Sequence, residues 1–330
     1  MLTTNGRIEL RLAQKLMLDD ARICQLIALL QAGKVLGTIF VGYYVQDCFG
    51  YQLVLTAGFL ILPGAIWLFA QANNFSTAKI ACCGLGLGGC CLNIGGNTLL
   101  APVNPDNQTS VINLGGAIYG IGALLLPFLL AYLFELLSFR GALKLLAMAV
   151  FVVPVLLSSY PQIQSDFAPF TVLELIQNGA IWSAALVLFC GVGLEFSMAI
   201  WATTYLQDVG WNKKRASILF SLFWLALMVG RLVATRFITP ENSSIAIQAM
   251  VLVAAEIVGL MIFSSKRPVG AIAVVGMGLS LAPISPTTVA LTFAKFPPSD
   301  YSRVYGFLAS VGTLSALVVQ SAIGILSNLT

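Results

Sequence analysis

Ten stretches of this 330-residue chain are each long and apolar enough to cross a bilayer. They run over roughly 25–46, 51–71, 79–102, 112–134, 142–160, 181–207, 216–237, 246–264, 269–294 and 304–327. A span needs about 20 mostly apolar residues. Hydrocarbon offers the backbone no hydrogen-bond partner, so each span has to satisfy its own amides and folds as a helix. The remainder cannot supply a water-facing shell, because 9% of the residues are charged, against about 25% in soluble domains. The expected fold class is all-α: a polytopic helical membrane protein with about ten transmembrane helices and the lipid bilayer as its solvent. Its net charge of +4 is carried in short loops and is no nucleic-acid signal. With no histidine in the chain, His-based metal sites and His general bases are excluded.

Residues 1–24 form a polar N-terminal segment holding Arg7, Glu9, Arg11, Lys15, Asp19, Asp20 and Arg22. It has no long apolar core, so it is neither a signal peptide nor a span. Most connections are short. The exception, 161–180, is polar and holds Asp166, Pro169, Glu174 and Asn178. It reads as a linker between five-span bundles at 25–160 and 181–330. These halves look alike. Gly33-Lys34 matches Gly230-Arg231, Gly84-Leu85-Gly86 matches Gly276-Met277-Gly278, and Gly116 and Gly122 match Gly306 and Gly312, at offsets of 197, 192 and 190. Ordered matches at a nearly constant offset favour a duplicated bundle. The pairs Gly33/Gly37, Gly84/Gly88 and Gly116/Gly120 have the spacing that lets helix backbones approach closely in lipid. Cys82, Cys83, Cys90, Cys91 and Cys190 fall inside apolar runs and read as small packing residues rather than metal ligands.

Polar residues inside spans are the candidates for function, because hydrocarbon makes them costly. Asn93 and Asn97 lie four apart, on one face of a helix with six glycines between Gly84 and Gly96. They suit hydrogen bonding to solute hydroxyls, or else gluing helices together. Glu195 is near mid-membrane; a carboxyl there suits a proton carrier, or a structural partner of Lys34 or Arg231. Lys34 and Arg231 hold equivalent places in the two halves and read as snorkelling or paired groups, with gating as a further role. Trp201 and Trp224 offer faces for a sugar ring, though packing is the favoured reading of Trp224. Glu256 reads as structural or lipid-edge. Pro283 and Pro286, with Ser285, Thr287 and Thr288, break the ninth run near its middle, where freed carbonyls can line a cavity. Gly84-x-Gly86-x-x-Gly89 matches a dinucleotide fingerprint in form only, for it lies inside a span with no βαβ context.

Taken in order, these residues resemble the major facilitator superfamily, in particular its fucose–proton and glucose/galactose transporter branch. Asp47-Cys48-Phe49-Gly50 resembles the superfamily's Asp-x-x-Gly loop in degenerate form. Gly95-Gly96-Asn97 resembles the small-small-Asn triplet of the branch's fourth helix. Ile112-Asn113-Leu114 with Gly122 and Pro127 resembles its fifth, Gly193-Leu194-Glu195 with Trp201 its seventh, and Pro286-Thr287-Thr288 its tenth. The resemblance covers about 25–327. It implies a major facilitator-like fold of two pseudo-repeated bundles, and makes the ten runs that family's helices two to eleven. The branch's acid on the first helix then has no counterpart. Its second acid falls at Asn93, which cannot titrate.

The expected function is secondary transport of a small polar solute, a sugar by resemblance, by alternating access. Asn93, Asn97, Asn113, Glu195, Trp201, Ser285 and Thr287 are the expected solute-binding residues. Glu195, Lys34, Arg231 and Asp47 are expected in coupling or gating, with a proton or a sodium ion as coupling partner. No cofactor, metal or catalytic set is expected, so the chain is not read as an enzyme. The expected location is the inner or plasma membrane. The alternative is a truncated non-transporting relative or a membrane solute sensor. Family topology puts twelve basic residues outside against three inside, whereas the positive-inside rule predicts the reverse. Labelling a cysteine placed in 161–180 separates the two. Reaction from the cytoplasmic side supports the family orientation, and reaction from the opposite side supports the charge rule.

Overall fold

The computed structural model describes residues 20–42, 46–157 and 177–327. These fold as α-helices joined by short turns: α1 (Asp20–Phe40), α2 (Gln46–Gln71), α3 (Phe75–Leu100), α4 (Gln108–Leu136), α5 (Phe139–Leu157), α6 (Gly179–Asp208), α7 (Lys213–Phe237), α8 (Ser243–Phe263), α9 (Arg267–Leu281), α10 (Ile284–Phe293) and α11 (Tyr301–Ser327). Among the described residues, seven helical stretches are long and apolar enough to cross a membrane: Leu53–Gln71, Phe75–Val103, Pro105–Leu136, Gly179–Asp208, Lys213–Phe237, Ser243–Phe263 and Arg267–Phe293. Most of the linker expected at 161–180 lies outside the described residues.

The helices divide into two compact units. The first gathers α1, α2, α3, the end of α4, α5 and the start of α11; the second gathers the start of α4, α6 to α10 and the end of α11. Thus α4 and α11 each give one half to each unit.

In the first unit, α3 packs against both α1 and α2 through its glycines. Its glycines point two ways. Gly86 lies against the Leu30 carbonyl of α1, and Gly33 of α1 in turn lies against the Cys83 carbonyl. Gly84, Gly88 and Gly95 face α2, where a methyl group on Gly88 would sit 2.7 Å from the Leu62 nitrogen. Lipid tails are as apolar as leucine, so contact area between backbones has to do what the hydrophobic effect does in water. Cys82, Cys90 and Cys91 are buried in the same contacts. Gly89 and Gly96 face open space. The first half of α11 joins this unit at a backbone crossing, where Gly42 and Gly306 abut and the Ser302 hydroxyl donates to the Gly42 carbonyl at 3.0 Å.

The second unit repeats the device. Gly278 of α9 lies against the Phe223 carbonyl of α7, and a methyl on Gly230 would sit 2.6 Å from the Ala282 methyl. Around this crossing Phe220, Phe223, Leu227, Val274, Met277 and Leu281 form an apolar core with Met198 and Leu206 of α6. The ninth run is interrupted between Leu281 and Ile284. Pro283 and Pro286 have no N–H to give to the carbonyls four residues earlier, Leu279 and Ala282.

Two glycines of α3 separate close packing from mere composition. Gly86→Ala drives a methyl into the Leu30 carbonyl and lowers stability by about 1–3 kcal/mol. Gly89→Ala meets nothing and is neutral or stabilises by up to ~1 kcal/mol, since alanine is the better helix former. Thermal unfolding in detergent measures both, and equal effects would contradict the packing described.

Candidate functional site

Arg231 organises the second unit. It follows Gly230 on α7, is 7% exposed, and reaches α4, α6 and the break between α9 and α10. Its Nε donates to the Ala282 carbonyl at 3.2 Å. That carbonyl is the one Pro286 leaves without its helical donor, so the break in α9–α10 creates the acceptor that the guanidinium fills. Nη1 donates to the Gly116 carbonyl of α4 at 3.1 Å. Glycine is needed there, for a methyl on Gly116 would stand 3.2 Å from the Arg231 Cδ. Nη2 lies 3.5 Å from Oε2 of Glu195 on α6. A charge-assisted N–H···O bond is shorter, about 2.7–2.9 Å. The two carbonyls therefore hold the guanidinium, and the carboxylate is the looser partner. The Glu195 side chain keeps 16% of its surface exposed. Tyr119, one turn beyond Gly116 on α4, is close enough to feel both charges.

Asn113 forms a second polar centre. It is fully buried; its Nδ2 donates to the Thr109 carbonyl at 2.8 Å and to the Thr287 hydroxyl of α10 at 3.1 Å. Its Oδ1 is buried with no hydrogen-bond partner among the described residues, as are the indole nitrogens of Trp201 and Trp224. An unpartnered buried polar atom costs about 1–3 kcal/mol, so three in one unit call for an explanation such as a ligand or water. Trp224 also packs edge-on against Phe220 and Phe223. Ser285 is half-buried in the first turn of α10. Below this centre, Thr109 shares a hydrogen bond with Ser243 at 3.3 Å, and Ser110 donates to the Thr235 carbonyl at 3.0 Å.

In the first unit, Asn93 is exposed and accepts a hydrogen bond from the Tyr305 hydroxyl at 2.9 Å. Asn97 Nδ2 donates to the Asn93 carbonyl at 2.8 Å, so the two amides share a face. Lys34 is half-buried on α1, and its carbonyl accepts from Thr38 at 2.7 Å. Asp47 is in the first turn of α2, and its side chain lies outside the described residues. Glu256 is exposed on α8.

The structure thus brings together Glu195 with Arg231, Asn113 with Thr287, and Asn93 with Asn97. Arg231 does not snorkel; its guanidinium is buried, with acceptors at the Ala282 break and on Gly116 of α4. Sequence reasoning missed Tyr305 and Tyr119. Nothing local marks them, since their partners are distant in the chain.

Among the described residues, seven apolar helices of spanning length, with a carboxyl–guanidinium pair among them, define a multi-pass membrane protein. The Major Facilitator Superfamily model matches residues 8–319, and the chain belongs to that superfamily. Solved structures share the fold. The Escherichia coli fucose–proton symporter superposes with a TM-score of 0.82 at 16% identity, over 99% of this chain and 88% of that one. A proton–xylose symporter gives 0.75 at 12% identity, over 99% and 85%. The human organic anion transporter MFSD10 gives 0.73 at 17% identity, over 95% and 81%. No match was found among curated proteins. Family and fold point to a multi-pass transporter rather than an enzyme.

Removing the guanidinium tests the assignment. Arg231→Met strands the Glu195 carboxylate and the Ala282 carbonyl and costs about 3–5 kcal/mol. Adding Glu195→Gln recovers part of that, with a coupling energy of about 0.5–3 kcal/mol by thermal unfolding. Strict additivity would mean that the pair does not interact.

Proposed function

We propose that this protein is a secondary transporter of a small polar solute, working by alternating access between two helical bundles at 25–160 and 181–330 that together make ten spans. The observation that carries the reading is the Glu195–Arg231 pair within spanning helices. Charges at that depth are expensive and are retained for moving ions or solutes. Arg231 has two carbonyl acceptors besides Glu195, and in this reading they hold the guanidinium while Glu195 serves as the proton carrier. That supplies a titrating group in a chain whose α3 carries Asn93 where the fucose branch has an acid.

The solute class we favour is a sugar. The fold likeness to fucose and xylose symporters supports it, and so do the amides of Asn93, Asn97 and Asn113, the Trp201 ring, and the hydroxyls of Ser285 and Thr287. Lys34 and Asp47 complete the reading as gating groups, and the proposed location is the inner or plasma membrane. A proton is the favoured coupling ion, because one mobile carboxylate beside a fixed cation suits proton exchange better than the multi-oxygen cage that a metal cation needs.

Proteoliposomes test this with fucose, xylose, glucose and galactose. Under an inward proton gradient the wild type accumulates at least one of them. Glu195→Gln equilibrates that sugar across the membrane without accumulating it. Background uptake of all four sugars by the wild type would sink the sugar-transport reading, and undiminished accumulation by Glu195→Gln would overturn the coupling role.

A further inference from the structure

At one end of the second unit, the turn from α6 to α7 meets the turn from α8 to α9. Trp211 joins them: its indole N–H donates to the Arg267 carbonyl at 3.0 Å. The meeting needs Gly210, whose φ of 104° is a left-handed conformation that side chains disfavour. A methyl on Gly210 would also stand 2.7 Å from the Arg267 Nε. Arg215 reaches back over the Trp211 ring, 5.9 Å from its centre. The two turns carry five exposed basic residues, Lys213, Lys214, Arg215, Lys266 and Arg267, and Arg215 and Arg267 meet the half-buried Trp211. Asp208 is the acid on these two segments. Two helices also begin here. Asn212 caps α7 through the Arg215 amide, while α9 begins without a side-chain cap. Helix N-termini carry partial positive charge and present free N–H groups.

None of these groups belongs to the Arg231 site, and together they make a basic patch that attracts anions. Both α7 and the α9–α10 stretch are spans starting at this point, so the cluster stands at headgroup depth, where an amphipathic indole is at home. We propose that this end of the second unit is a binding site for an anionic phospholipid headgroup. The phosphate sits among Lys213, Lys214, Lys266 and the open N-terminus of α9. Trp211, steadied by Arg215 and Arg267, packs beside the acyl–headgroup boundary. Juxtamembrane basic clusters attract anionic lipid in proportion to their number.

Native mass spectrometry of the protein released from nanodiscs tests this. From a mixture of phosphatidylcholine and phosphatidylglycerol, the wild type retains phosphatidylglycerol preferentially. The triple variant Lys213→Ser, Lys214→Ser, Lys266→Ser loses that preference about tenfold or more, from the contribution expected of each basic residue. High salt weakens it too, because exposed charges are screened. The three lysines are exposed, so the variant should keep its fold, which its unfolding temperature checks. Equal retention of both lipids by the wild type would overturn the site. So would an unchanged preference in a folded triple variant, or displacement of the lipid by inorganic phosphate at concentrations that leave ionic strength unaltered.

Discussion

The second unit depends on a buried guanidinium held by broken backbone. An arginine at bilayer depth is tolerated only if its donors are met. Here Pro286 withholds an N–H from the Ala282 carbonyl, and Gly116 leaves room for the arginine stem against α4. Neither acceptor can be titrated away. In the proposed mechanism Arg231 is the fixed charge and Glu195, 3.5 Å away, the mobile one. A coupling device needs this asymmetry, because a pair in which both members move would lose its geometry at the first protonation. A fixed cation keeps the site shaped for the carboxylate's return.

Around that device, contact between backbones does the structural work. Gly86 against Leu30 in one unit and Gly278 against Phe223 in the other bring a pair of helices to backbone contact. Close approach gives dispersion energy without needing water to be displaced. It also fixes the rotation of each helix. Gly278 and Gly230 turn the α7–α9 crossing so that Arg231, next to Gly230, reaches the break at Ala282. The glycines that pack and the buried arginine are therefore one arrangement.

Much of this was legible in the sequence. Long apolar runs announce helices, because lipid leaves the backbone no other partner. The glycine spacing marked Gly33, Gly84, Gly88 and Gly116 as close-approach positions, and all four meet neighbours closely. The two prolines marked the break at 282–283. The interaction partners were harder to read. Glu195 could be matched with Lys34 or Arg231 on sequence grounds, and helix rotation decides between them. The Tyr305 hydroxyl reaches Asn93 from 212 residues away, and no local pattern encodes such a distance. Gly89 and Gly96 show the opposite failure: they share the composition of their neighbours and touch nothing.

In the proposed mechanism, solute binding and Glu195 protonation are linked beside a fixed Arg231. Linkage is reciprocal: a solute that binds better to the protonated protein must draw protons in when it binds. The direct measurement is the pH change on adding a transported sugar to the protein in weakly buffered nanodiscs, read with an indicator dye. The wild type should take protons from solution. Glu195→Gln should bind the sugar, seen as a change in tryptophan fluorescence, and leave the pH unmoved. Equal proton uptake by both proteins would contradict the account, as would sugar binding by the wild type with no proton uptake.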